Sequence, residues 1–105
     1  MTKMQPPDHL RPTTGQWFSS VLEEFELDAH HVRLLTLACE AFDRCTQARE
    51  LLAKNGLVYV AANGDPRTRP EVAIERDSRL AFARLLRELG LDTAPEVPRP
   101  PSLRR

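Results

Sequence analysis

Arg76, Arg79, Arg84 and Arg87 recur at spacings of three and five residues. On a helix they gather on one face around Ala83, opposite an apolar face of Ile74, Ser78, Ala81, Phe82, Leu85 and Leu89. Arginine keeps its charge and presents its donors as a planar fork, which suits contact with phosphate. Arg99, Arg104 and Arg105 stand among prolines near the C-terminal end and compete for the same role. The plainer reading is a solvated helix face, since Glu75 can pair with Arg79 and Glu88 with Arg84. An acidic protein partner is the third possibility.

Other reactive residue types are present in patterns that do less. His30 and His31 fall in the first turn of a helix that opens after Asp28, where the helix dipole disfavours imidazolium. Together with His9, Cys39 and Cys45 they match neither C-x2-C nor H-x3-H spacing, and the helix turns the cysteines away from any centre shared with the histidines. No metal and no cofactor is expected. Cys39 and Cys45 lie about 9 Å apart along a helix, too far for a disulfide, and read as small core residues in a reducing compartment. Glu40 and Asp43 share a helix face, but beside Arg44 and Lys54 they read as solvated; Glu40 with Arg44 and Glu50 with Lys54 make i,i+4 pairs. Gly56 and Gly64 stand alone, and Lys54-Asn55-Gly56 lacks the pattern of a phosphate-binding loop. An enzyme is not expected.

These residues need a scaffold of 105 residues, enough for one domain with a modest core. Fifteen basic and fifteen acidic side chains cancel, yet residues 1–27 hold two basic and four acidic ones, whereas residues 66–105 hold nine arginines and six acids. The neutral total hides an acidic start and a basic end. No apolar run approaches the ~18 residues of a membrane span and no hydrophobic signal core opens the chain, so a soluble cytoplasmic protein without membrane contact is expected.

The patterning is mainly α, with a short N-terminal helix, two long antiparallel helices joined by a short β-hairpin, and disordered or extended termini. Residues 1–13 read as an extended arm pinned by Leu10, residues 14–92 as the helical domain, and residues 93–105 as a Pro/Arg-rich tail. Thr14 can cap a helix over roughly 15–26, in which Trp17, Val21 and Phe25 form a stripe. Asp28 and Gly56 bound the second helix. Its apolar arc of Leu34, Leu37, Ala38, Ala41, Phe42, Cys45, Ala48 and Leu52 spans about 160°, wider than the ~100° of a helix packed on one side. Such a face meets two elements, and Leu34, Ala38, Ala41 and Ala48 are expected to carry an interface between copies. Phe42, Cys45 and Leu52 are expected to face Ile74, Phe82 and Leu85. Asn63-Gly64 favours a two-residue hairpin loop, pairing Ala62 with Asp65, Val60 with Arg67 and Tyr59 with Thr68. Pro70 opens the third helix and Gly90 closes it.

The order Pro7-Asp8-His9-Leu10, Gly15-Gln16-Trp17, Leu27-Asp28, Ala38 to Leu52, Gly56 with its hairpin, Arg69-Pro70 and Leu89-Gly90-Leu91 resembles the compact branch of the phage terminase small subunits. The resemblance covers roughly residues 7–92. It implies a non-catalytic packaging component that forms a ring-like homo-oligomer, recognises viral double-stranded DNA, and helps the large ATPase/nuclease subunit start packaging. On the arginine pattern the DNA contacts would be Arg76, Arg79, Arg84, Arg87, Arg99, Arg104 and Arg105. The alternative is a small dimeric helix-turn-helix regulator, against which stand Glu23, Glu24 and Asp28 around the first turn. A scaffold that contacts no DNA is a third reading.

Overall fold

A computed structural model describes residues 4–91. Three helices and a hairpin follow one another: α1 (Pro12–Glu24), α2 (Ala29–Asn55), β1 (Val58–Val60), β2 (Pro66–Thr68) and α3 (Pro70–Leu89). The two long helices pack antiparallel, with the hairpin at the far end and α1 laid across the first half of α2.

Local chemistry explains most boundaries. Pro70 stands at the first turn of α3, where a missing N–H costs no intrahelical bond. Gly56 ends α2 at φ +85°, ψ 179°, a region essentially restricted to glycine. Asp28 occupies the N-cap of α2 without a capping side-chain bond. The start of α1 differs from expectation: it begins at Pro12, two residues before Thr14. The Thr14 hydroxyl does not cap; it donates to Asp43 Oδ1 at 2.6 Å. Proline at the first helical position sets φ and takes over the role assigned to a cap.

The hairpin register also differs by one residue, with Val58 opposite Thr68, Tyr59 opposite Arg67 and Val60 opposite Pro66. Gly64 N–H donates to Ala61 O (2.9 Å) and Ala61 N–H to Asp65 O (2.8 Å), with Gly64 at φ +91°. This is a three-residue loop with a glycine bulge rather than a two-residue turn. Asn63 and Asp65 hold it through their side chains. Pro66 still falls outside the hydrogen-bonded pairs, so its missing N–H leaves no gap.

The core lies at the end away from the hairpin. Leu10, Phe18, Val21, Leu35 and Cys39 are buried together, with Trp17, Leu89 and Leu91 packed against them. The arm is thus pinned by Leu10, and both cysteines are buried free thiols. Leu35 and Cys39 stand about 100° round α2 from the centre of the apolar arc, facing α1. Ala38, Cys45 and Ala48 lie on the side that packs against α3. Part of the apolar face is therefore used within one subunit, by α3, while Leu37 and Phe42 on the same face stay exposed. Ala38 and Ala48 are correspondingly buried, which removes them from direct contact with another copy.

The expected Phe42–Phe82 meeting is present, ring centroids 5.2 Å apart, and Cys45 reaches α3 at Glu75. The depth of that layer is less than expected. Phe42 is 45% exposed, Ile74 is exposed, and α3 holds no buried residue. The reason is geometric: α1 spans only the first half of α2, so the hairpin half of the α2–α3 pair has no third layer over it. Leu57, Val58 and Val60 are exposed at that end.

Candidate functional site

The outward face of α3 separates its arginines into different environments. Arg79 Nε donates to Glu75 Oε2 at 3.2 Å, as expected. The same oxygen accepts from Arg49 Nε on α2 at 3.0 Å and from the Cys45 thiol at 3.6 Å. These bonds, Arg49's first and Arg79's second, hold the Glu75 carboxyl below the ordinary carboxylate range. Arg79 is thus part of the α2–α3 seam. Arg76 Nε donates to the neighbouring Asp77 at 3.2 Å. Arg84 and Arg87 are exposed and carry no ion pair among the described residues; the Glu88–Arg84 pair does not form. Leu80, 53% exposed, sits between the rows of Arg76, Arg84 and Arg87. Arg99, Arg104 and Arg105 lie outside the described residues.

A family model described as phage terminase, small subunit, matches residues 19–96. The chain belongs to that family. The match takes in the second half of α1, all of α2, the hairpin and α3, and so includes Arg76, Arg79, Arg84 and Arg87 but not Arg99, Arg104 or Arg105. No curated protein and no solved structure matches the chain. No helix among the described residues is long and apolar enough to cross a membrane.

A second basic feature lies on the hairpin, where the arginine pattern of α3 gave no pointer. The Arg69 guanidinium stands 5.8 Å over the Tyr59 ring, and Arg67 is opposite Tyr59 on the other strand. The alternation of Tyr59 with Arg67 and Arg69 could have revealed it only once the register was known.

The acidic row of α2 remains partly exposed but is paired with the arm rather than with its neighbours on the helix. Arg11 makes a bidentate pair with Glu50 at 2.9 and 3.0 Å, its backbone N–H donates to Asp43 Oδ2 at 2.9 Å, and His9 Nε2 meets Glu40 at 2.7 Å. Glu40 and Glu50 therefore clasp the arm instead of Arg44 and Lys54. The Arg11 fork holds the Glu50 carboxyl below its usual range. Their arrangement is structural: it fastens the residues before α1 to α2 and leaves a polar groove of about 420 Å³ beside His9, Arg44 and Gln47.

Asp28, His30 and His31 place ligand-type atoms within 4.8 Å of one another at the exposed start of α2, with His31 Nδ1 3.9 Å from Asp28. The positive end of the helix dipole lies at the same place and works against a cation. Cys39 and Cys45 take no part in that group. Burial, aided by Asp43 and Glu40, pushes the Cys39 thiol up to about 12, which keeps it protonated.

Proposed function

We propose that this terminase small subunit works without catalysis of its own, as a homo-oligomeric ring that recognises viral double-stranded DNA and helps the large ATPase/nuclease subunit start genome packaging in the host cytoplasm. The observation that carries the reading is the family match over residues 19–96, which covers most of the chain. DNA contact falls best to Arg84 and Arg87, exposed without ion pairs among the described residues, with Arg76 beside them and Arg99, Arg104 and Arg105 as further contributors. Arg79 contributes less, because Glu75 already holds it.

Assembly is supported by apolar side chains left open on the subunit, among them Leu37, Leu80 and Val60. Ala41 and Leu34, both half-buried, are the interface positions that stay accessible. A neutral chain binds DNA weakly alone, so affinity comes from repeating a small basic patch round an oligomer. The helix-turn-helix alternative has less support: Glu24, Glu26 and Asp28 are exposed around the α1–α2 connection, a poor approach to phosphate.

Native mass measurement together with DNA titration at low salt tests the reading. A ring of several subunits whose DNA affinity falls steeply with salt is expected. A monomer at micromolar concentration would remove the assembly half of the proposal, and a dimer would favour the regulator.

A further inference from the structure

The hairpin that joins α2 to α3 has two unlike faces. Tyr59 stands directly opposite Arg67, so their side chains share one face of the ladder. Arg69 joins them there, its guanidinium 5.8 Å over the Tyr59 ring. Val58, Val60 and Thr68 take the other face. Every residue of both strands is exposed, so neither face lies under a helix.

The arginines of the Tyr59 face have no acid to neutralise them. Arg67 makes no ion pair among the described residues. Glu71, two residues beyond Arg69, does not pair with it: Arg69 Nε and Glu71 Oε1 are both enclosed and lack a hydrogen-bond partner. Asp65, the one carboxylate of the hairpin, is held at the tip by the Asn63 amide, which donates to its Oδ2 at 3.1 Å. A guanidinium over an aromatic ring still has in-plane N–H donors for a further partner, and a phosphate accepts two of them at once. A two-stranded ribbon also fits the ~12 Å width of the major groove. The six residues from Leu57 to the tip at Asn63 reach about 20 Å, more than the ~8.5 Å depth of that groove.

We propose that Tyr59, Arg67 and Arg69 form a second contact with the phosphate backbone of duplex DNA, apart from Arg84 and Arg87 on α3, an assignment that rests on the DNA reading above. Arg69 precedes Arg76 by seven residues, about 10 Å along the helix, so the hairpin carries the basic side chains of α3 past its N-terminal end. The charge density of a duplex, one phosphate per ~1.7 Å of axis, favours it over an acidic protein surface as the occupant.

The full chain is titrated into a random-sequence DNA duplex across a range of salt, read by fluorescence polarisation. Arg67→Gln with Arg69→Gln should weaken binding at least about ten-fold at about 50 mM salt. It should also lower the slope of log affinity against log salt by about 2 per subunit touching the duplex, since each phosphate contact contributes ~0.9. Native mass and helical circular dichroism should match the parent. Arg67→Lys with Arg69→Lys keeps both charges and should keep the slope. Parental affinity and slope in the glutamine variant overturn the proposal, while the parent's own binding leaves the DNA reading standing. Weaker binding that comes with a lower native mass also overturns it, because the hairpin is then a contact between copies. A parent that binds no duplex at low salt overturns both.

Discussion

Glu75 holds Arg49, Arg79 and the Cys45 thiol with one carboxylate oxygen, so its charge joins α2 to α3. Its folded-state pKa lies below the unfolded value. Its contribution is therefore complete above the ordinary range near ~4.3 and is lost as pH falls through the folded value. The thermal midpoint of the parent should fall more steeply than that of Glu75→Gln as pH is lowered from about 5 to 3, by scanning calorimetry at each pH. Cys39 behaves in the opposite sense. Burial raises its thiol to about 12, so the unfolded chain releases this proton first and stability declines as pH rises above about 9. Neither cysteine should react with a thiol reagent at pH 8 until the chain unfolds. The two phenylalanines separate real core from partial cover. Phe18 is 1% exposed, and Phe18→Ala should cost about 3–5 kcal/mol. Phe42→Ala should cost only about 1 kcal/mol, because half its ring already meets water. Denaturant unfolding of the two variants measures the difference.

Two elements carry separate duties, and substitutions should respect the division. The start of α1 is tied to α2 through Asp43, which accepts from the Arg11 N–H and the buried Thr14 hydroxyl. Asp43→Ala leaves that hydroxyl without a partner and should destabilise by about 1–3 kcal/mol, read by urea unfolding. The outward face of α3 bears no such fold duty at Arg84 and Arg87. Their joint replacement by glutamate should weaken DNA binding at low salt and reduce the slope of log affinity against log salt, while leaving the melting temperature unchanged. Replacing Arg79 would confuse binding with packing, since its loss disturbs Glu75.

At the scale of the whole molecule, the half of the α2–α3 pair nearest the hairpin is one layer thin, and domains normally bury such faces against another layer. Ala41 borders a surface groove with Ser78 and Ala81, whereas Ala48 is enclosed within the subunit. Ala41→Glu is therefore expected to lower the native mass while keeping helical circular dichroism. Ala48→Glu should instead lower the melting temperature of the subunit itself, as burial of an unpaired charge demands.

Local signals in the sequence determined where α2 stops, where α3 starts and stops, and that a hairpin lies between them. Gly56, Pro70 and Gly90 act on their own φ and on partners within a few residues, so no fold is needed to read them. The arginine face of α3 followed in the same way from helical spacing. Tertiary structure alone decided which side of α2 became core: Leu35 and Cys39 are buried because α1 lies over them, and nothing in α2's own periodicity says where α1 will lie. It also decided the fate of Glu40, Asp43 and Glu50. Their partners stand 29 to 39 residues earlier in the chain, whereas Arg44 and Lys54 were only neighbours on the helix. The hairpin register turned on one loop residue, because Gly64 admits both a two-residue turn and a three-residue bulge. The side-chain bonds of Asn63 and Asp65 belong to the second.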